Sequence, residues 1–116
     1  MVINQGDIFW VQFPPAKGSE PASKRPALVI QSNLFNRSKI NTTIVLAITS
    51  QLKYKNLPGN VYLKKGEANL PKSCVINVTQ IATIDKTRLI EKIGTLSQEK
   101  IAQVFKGINL LFSKIE

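Results

Sequence analysis

Histidine is absent from the sequence, and cysteine occurs once. Histidine is the side chain that most often acts as a general base near neutral pH, and it is the commonest metal ligand. Its absence excludes Ser-His catalysis and the usual zinc hydrolases, so we expect neither a metal nor a cofactor. Cys74 cannot form an internal disulfide, and we interpret it as a small buried apolar residue. An intermolecular bridge or a reactive thiol remains the alternative.

Long apolar runs are missing as well. The longest, ALVI at 27–30 and IVLAI at 44–48, are far shorter than the ~20 residues of a membrane-spanning helix. The first ten residues have neither the basic nor the apolar region of a signal peptide. We therefore expect a soluble cytoplasmic protein with no membrane partner. Since no repeat or change in composition divides the chain, we expect a single domain over residues 1–116.

Short apolar segments between turn residues predict a mainly β protein. The predicted strands are 6–13, 26–31, 42–49, 60–66, 72–85 and 88–94. The apolar run in the third strand indicates burial on both of its faces. Segment 14–26 contains four prolines and is predicted to be a long mobile loop. Asn33 is expected to cap one short helical turn before the third strand.

A different period begins at Ser97. Apolar side chains then recur at helical spacing, at Ile101, Val104, Phe105, Ile108, Leu111, Phe112 and Ile115. This stripe predicts an amphipathic helix capped by Ser97, with its apolar face packed on the core. Gly107 is expected to cost this helix about 1 kcal/mol relative to alanine. The predicted fold is therefore a small, strongly bent sheet or barrel with a C-terminal helix packed on it.

Positive charge is concentrated in one part of the chain. The net charge is +9, and no acidic residue lies between Glu20 and Glu67. The basic residues in that interval are Lys24, Arg25, Arg37, Lys39, Lys53, Lys55, Lys64 and Lys65. The terminal helix carries charges of both signs, which does not suit a membrane surface, and nucleic acid is the better partner.

Three of these lysines are candidate RNA contacts because they lie in predicted loops. Lys53 and Lys55 flank Tyr54, whose ring could stack on an unpaired base, and Lys24 lies in the proline-rich segment. For any single lysine, a solvated surface position that aids only solubility remains the alternative.

Three segments carry a resemblance to a known family. They are GDIFWVQFPPAKGSEPASKRPALVI, the strand end AITSQ, and KSCVINVTQIATIDKTRL. Together they resemble the MazF/PemK toxins of bacterial toxin–antitoxin systems over nearly the whole chain. The resemblance implies a compact SH3-like barrel, a homodimer, and metal-independent cleavage of single-stranded RNA at short sequences. It also implies inhibition by a cognate antitoxin, whose contacting segment we expect to be acidic because the RNA-binding face is basic.

The resemblance also assigns individual residues. Arg25 and Thr49 match the positions that the family uses for catalysis. The residues expected to bind RNA, from the resemblance or from charge, are Ser19, Glu20, Lys24, Lys53, Tyr54, Lys55, Ser73 and Gln80. The chain departs from the common pattern at Pro21, Ala47, Thr79 and Ala82. These departures bear on the RNA sequence that is recognised, not on the chemistry.

RNA supplies its own nucleophile, the 2′-hydroxyl next to the phosphate, so cleavage requires orientation, proton management and stabilisation of the developing charge. The planar guanidinium of Arg25 suits charge stabilisation, and an acid–base role stays open. The hydroxyl of Thr49 can donate to a phosphate oxygen. The alternatives are that Arg25 pairs with Glu20 and that Thr49 caps a turn. Asp7 and Asp85 are isolated, and we interpret them as structural residues.

Two other functions fit the same predicted barrel. A CcdB-like toxin poisons DNA gyrase by protein binding, and the C-terminal part of the helix would then matter most. A non-catalytic RNA-binding SH3-like module would need the basic groove but neither Arg25 nor Thr49.

Overall fold

In the computed structural model, which describes residues 1–15 and 23–115, six strands form one antiparallel sheet. The strands are β1 (Asp7–Phe13), β2 (Ser23–Val29), β3 (Thr42–Thr49), β4 (Val61–Leu63), β5 (Cys74–Asp85) and β6 (Leu89–Thr95). Their order across the sheet is β4-β5-β3-β2-β1-β6. β1 and β3 are rich in β-branched or aromatic residues, which favour the extended backbone.

The two edges of the sheet approach each other through the segment that follows β4. A 3₁₀ turn at Glu67–Asn69 reaches β6, where the side-chain amide of Asn69 donates to the carbonyl of Ile93 at 3.3 Å. A Cβ at Gly94 would lie 2.2 Å from the carbonyl oxygen of Ala68, so this approach requires glycine. The sheet is therefore curled into a half-barrel, which confirms the predicted small bent sheet with a terminal helix.

Both faces of the sheet are buried against apolar side chains. One core includes Ile8, Leu28, Leu46, Ile48, Cys74, Ile76, Val78 and Val104. The other includes Phe9, Val11, Phe13, Ala27, Val29, Val45, Ala47 and Ile84. Since β3 contributes Val45 and Ala47 to one core and Leu46 and Ile48 to the other, the prediction that its apolar run is buried on both faces is confirmed. The buried state of Cys74 is confirmed too.

The first helix, α1 (Asn33–Asn36), is capped by Ser32 and not by Asn33 as predicted. The backbone N–H of Leu34 donates to Ser32 Oγ at 3.2 Å. Asn33 is the first residue of the helix, and its Oδ1 accepts the backbone N–H of Gln5 at 2.7 Å. The prediction was wrong because the Asn33 side chain holds the N-terminal segment instead of the helix end.

The second helix, α2 (Gln98–Leu111), begins as predicted, with the backbone N–H of Lys100 donating to Ser97 Oγ at 3.2 Å. Ile101, Val104 and Ile108 pack on the core of the sheet. The end of the predicted apolar stripe does not, because Leu111, Phe112 and Ile115 are exposed. The helix ends at Leu111 and extends past the sheet that it covers. The prediction that the whole apolar stripe is buried was therefore wrong.

The predicted boundaries of the second strand and of the loop before it need correction. β2 begins at Ser23, so Lys24 and Arg25 lie in a strand, opposite Gln12 and Val11 of β1. Sequence reasoning extends the loop to Pro26 because segment 14–26 contains four prolines, a glycine and two serines. Within the part of the chain that the structure describes, no helix has both the length and the apolar character that a membrane crossing requires.

Candidate functional site

The candidate site lies where β2 and β3 stop pairing with each other. Their register ends at Ala27 opposite Ala47, next to Pro26, which has no N–H to continue the ladder. Beyond this point β2 remains paired with β1, and β3 remains paired with β5 as far as Thr49. The two strands therefore separate, with Arg25 on one side of the gap and Thr49 on the other.

Two pockets adjoin this gap, and Arg25, Thr49 and Gln51 line both of them. The larger, which we call the Trp10 pocket, has a volume of about 340 Å³. Its other lining residues include Trp10, Lys24, Pro26, Pro71, Lys72 and Cys74. The smaller, which we call the Gln80 pocket, has a volume of about 200 Å³. Its other lining residues are Ala47, Tyr54, Asn77 and Gln80.

Alternation along β2 sends neighbouring side chains to opposite faces of the sheet. The guanidinium of Arg25 lies 5.1 Å from the centre of the Phe13 ring. The ammonium of Lys24 lies 5.3 Å from the centre of the Trp10 ring, on the other face. These cation–π contacts orient two exposed cations without an acidic partner in the contact. The site is therefore positively charged on both sides of the strand.

The hydroxyl of Thr49 has a structural partner. Its Oγ1 accepts the backbone N–H of Gln51 at 3.1 Å, in the turn that follows β3. This bond uses a lone pair of the oxygen and leaves the hydroxyl proton free to be donated. The capping role expected as an alternative is therefore present, and it is compatible with a hydrogen bond to a phosphate oxygen.

A bulge in β5 forms one wall of the Gln80 pocket. Leu46 of β3 lies opposite Ile81, and Ile48 lies opposite Ile76, so residues 77–80 of β5 stand against Ala47 alone. Within the bulge, the Thr79 hydroxyl donates to Asn77 Oδ1 at 2.7 Å. The bulge places Asn77 and Gln80 beside Ala47, whose small side chain leaves room for them. Two of the departures from the family pattern, Ala47 and Thr79, thus lie at this wall.

Asn60 braces the other wall. Its side-chain N–H donates to the carbonyl of Tyr54 at 3.0 Å, and its Oδ1 accepts the backbone N–H of Val78 at 3.0 Å. These two bonds hold the 3₁₀ turn Leu52–Asn56 against β5, and so hold Tyr54 at the pocket. The ammonium of Lys53 lies 5.2 Å from the centre of the Tyr54 ring.

Most of the predicted site residues that the structure describes come together here. Arg25 and Thr49 line both pockets, Lys24 lines the Trp10 pocket, and Tyr54 and Gln80 line the Gln80 pocket. Lys53 and Lys55 are exposed on the turn beside Tyr54; the ammonium of Lys55 lies 5.8 Å from the centre of the Tyr62 ring.

Ser73 lines neither pocket; its Oγ accepts the backbone N–H of Lys65 at 3.2 Å and the hydroxyl of Tyr62 at 3.3 Å. Its contact with RNA stays a prediction. Ser19 and Glu20 are outside the described residues, as is the alternative pairing of Arg25 with Glu20.

The lining residues that sequence reasoning missed include Trp10, Gln51, Lys72 and Asn77. Gln51 directly follows the ITS strand end, and this position was a usable signal. The other three offered none, because only the strand register and the β5 bulge bring them to the gap.

Asp7 and Asp85, the acidic residues near loop ends, make structural contacts within the fold. Asp7 is buried and forms an ion pair with Lys92 at 3.3 Å. Hydrogen bonds from the backbone N–H and the hydroxyl of Thr87 lower the pKa of the exposed Asp85 carboxyl.

Burial raises the pKa of the Cys74 thiol, and the nearby charge of Lys72 opposes this effect. Within residues 1–15 and 23–115, no three His, Cys, Asp or Glu side chains form a group that could hold a metal ion.

Comparisons with known proteins agree with one another. The model of a family described as the PemK-like, MazF-like toxins of type II toxin–antitoxin systems matches residues 4–112. Endoribonuclease MazF2 of Mycobacterium bovis is 40% identical over 108 residues, which cover 93% of this chain and 95% of that protein. Endoribonuclease EndoA of Bacillus subtilis is 35% identical over 116 residues, which cover 100% of this chain and 99% of that protein.

Solved structures share the fold. The crystal structure of MazF from Deinococcus radiodurans superposes with a TM-score of 0.77 at 24% identity, covering 98% of this chain and 99% of that one. An endoribonuclease in complex with its cognate antitoxin, from a mycobacterial species, superposes with a TM-score of 0.71 at 14% identity, covering 99% and 97%. At these identities, the superpositions establish the architecture.

Proposed function

Because the chain belongs to the family of PemK-like, MazF-like toxins of type II toxin–antitoxin systems, we propose that it is a sequence-specific endoribonuclease that cleaves single-stranded messenger RNA without a metal. The observation that carries the proposal is the position of Arg25 and Thr49 on the shared wall of two adjacent pockets. A strand of RNA crossing that wall would place a phosphate between them, with a nucleotide on either side.

In the proposed reaction, the 2′-hydroxyl loses its proton and its oxygen bonds to the adjacent phosphorus. The bond from phosphorus to the 5′-oxygen breaks, that oxygen takes up a proton, and a 2′,3′-cyclic phosphate remains. Arg25 stabilises the charge that develops on the phosphate oxygens, because its fork of N–H donors matches two oxygens at once. The hydroxyl of Thr49 donates a further hydrogen bond to a phosphate oxygen. The groove thus acts mainly by orientation and charge stabilisation.

Two partners belong to this proposal. One is a cognate antitoxin whose acidic segment covers the basic groove; the solved complex of a structurally similar endoribonuclease with its cognate antitoxin supports it. The other is a second copy of the chain, since a closed two-fold pair is the commonest oligomer and would enlarge the groove. Exposed apolar side chains such as Phe35, Leu110 and Phe112 provide surface for such contacts. The reaction belongs in the cytoplasm, where messenger RNA is translated.

The alternatives, a gyrase poison and a non-catalytic RNA-binding module, are not favoured by the family match or by the names of the relatives. The purified protein should be incubated with a long, unstructured RNA in EDTA, and the fragment ends should be mapped. We expect discrete fragments that end in 2′,3′-cyclic phosphates. Intact RNA with retained binding would instead indicate the non-catalytic module.

The oligomeric state has its own test. Light scattering at the concentrations used for cleavage should give about twice the chain mass of 12.9 kDa. A mass of one chain in a preparation that cleaves RNA would contradict the shared groove and leave the nuclease proposal intact.

A further inference from the structure

Trp10 and Lys72, which line the Trp10 pocket together with Arg25 and Thr49, have no role assigned above. The Trp10 pocket opens on the face of the sheet that carries Lys24, whereas the Gln80 pocket opens on the face that carries Ala47. The two pockets therefore lie on opposite sides of the gap between β2 and β3. A phosphate held at this gap has a cavity on each side, so both neighbouring nucleotides have a place to bind.

The lining of the Trp10 pocket matches the chemistry of a nucleotide. Its volume of about 340 Å³ falls in the usual range of small-ligand pockets, about 300–1,000 Å³. Trp10, Pro26 and Pro71 offer flat apolar surface for a planar base. Ser50 and Gln51 add polar groups that can read the edge of a base. An uncharged apolar ligand would leave these polar groups without a partner.

Two cations border the same cavity. The ammonium of Lys24 lies over the Trp10 ring, and Lys72 is near enough to Cys74 to influence its thiol. The ion pairs between described residues, Lys92 with Asp7 and Lys100 with Glu67, lie elsewhere. Within the described part of the chain, Lys24 and Lys72 are therefore available to a phosphate. A ligand that carries both an anion and a planar group would contact the two lysines as well as the flat apolar surface of the pocket.

We propose that the Trp10 pocket binds the nucleotide on one side of the cleaved phosphate, with its base stacked on Trp10 and its flanking phosphate held by Lys72. Ser50 and Gln51 read the edge of that base. This inference rests on the proposed nuclease function. Since the Gln80 pocket would take the nucleotide on the other side, the two pockets would read opposite sides of the cut. Lys72 contributes positive charge only on the side of the Trp10 pocket, because it does not line the Gln80 pocket.

The pocket contains its own reporter, because Trp10 is the single tryptophan of the chain. The probe is a short RNA that spans the mapped cleavage site, with 2′-deoxyribose at the nucleophilic position so that it binds without being cut. Titration should give a saturable change in tryptophan emission. An RNA trimmed on one side of the phosphate should lose this change, whereas an RNA trimmed on the other side should retain it.

Lys72→Ala should weaken binding of the same RNA at least about 5-fold with the base preference unchanged, because a phosphate contact carries no sequence information. Gln51→Ala, which removes a polar group from the lining, should instead shift the base preference on one side of the cut. Lys114→Ala, which removes an exposed charge beyond α2, is the matched control and should bind like the unaltered protein. Normal binding by Lys72→Ala, together with no change in tryptophan emission when the unaltered protein is titrated, would overturn the proposal. In that case the cleavage itself would still stand, whereas failure of the proposed function would appear as no cleavage of long RNA by the unaltered protein.

Discussion

Gly107, in the middle of α2, lies directly against Gly59 in the turn before β4. A Cβ placed on Gly107 would stand 2.2 Å from the carbonyl oxygen of Gly59 and 2.9 Å from its carbonyl carbon. Gly59 itself has a φ of +81°, a conformation that other residues rarely adopt. The helix therefore approaches the turn at backbone distance, and this approach seats α2 on the half-barrel.

Gly107→Ala should destabilise the protein by about 1–3 kcal/mol, because the added methyl group forces the helix away from the turn. Helix propensity alone predicts the opposite sign, a gain of about 1 kcal/mol. Urea denaturation followed by circular dichroism would measure the difference. Asn109→Ala, at an exposed position of the same helix, is the control and should be neutral or slightly stabilising; a more stable Gly107→Ala protein would contradict the close approach.

Arg25→Ala should lower the single-turnover cleavage rate at least about 100-fold, the scale of losing one preorganised donor to a developing charge. Its exposed side chain is not part of the core, so folding should change little. Arg25→Lys should restore little activity, because an ammonium lacks the planar fork. Thr49→Ala should have a smaller effect, since it removes one neutral donor. Unchanged rates in folded Arg25→Ala protein would remove this residue from the mechanism.

Reversing Lys53 and Lys55 to Glu should weaken binding of RNA and of an acidic antitoxin segment, because in the proposed function both polyanions bind the same basic surface. The slope of a log–log plot of RNA affinity against salt should flatten by about 0.7 for each phosphate of the single strand that is no longer neutralised. Reversal of Lys106 and Lys114, which are exposed at α2 and beyond, gives the same change in net charge as a control. Equal effects of the two double variants would mean that Lys53 and Lys55 act only through net charge.

Asn60→Ala should lower both stability and RNA affinity. The change leaves the carbonyl of Tyr54 and the backbone N–H of Val78 without their partner, a cost of about 1–3 kcal/mol for each group that stays buried. Asn60→Asp keeps the acceptor for Val78 but loses the donor to Tyr54, so RNA affinity should fall with a smaller loss of stability. Asn56→Ala, at an exposed position of the same turn, is the control. RNA titrations and urea denaturation would separate the two effects.

Cys74 should react slowly with a thiol reagent at neutral pH while the protein is folded. Burial raises the pKa of its thiol, so the reactive thiolate is scarce, and the side chain is 2% exposed. Reaction with Ellman's reagent should become fast in guanidinium chloride. Because the folded state favours the neutral thiol, raising the pH above the ordinary thiol pKa should weaken folding slightly. Fast reaction in native buffer would contradict the buried position.

The family resemblance supplied Arg25 and Thr49, but the reason for their proximity lies in the register of β2, β3 and β5. Trp10 and Lys72 are distant in sequence and carry no local pattern, so the sequence alone could not place them beside Arg25. The prediction that Lys24 lies in a loop fails for a related reason. A proline indicates that the pairing of two strands ends, but it does not indicate which of the two neighbouring strands stops pairing. Pro26 ends the pairing with β3 while β2 continues beside β1.

Local structure follows from the sequence alone: the strands, the Ser97 cap, the onset of α2 and the concentration of positive charge. These features depend on neighbouring residues, through backbone preferences and the period of the apolar side chains. The face that each side chain occupies after the β5 bulge depends instead on the tertiary structure. Ile76 and Val78 pack in one core and Ile84 in the other, although their even spacing suggests a single face. A bulge is defined by the strand it pairs with, and that partner is remote in sequence.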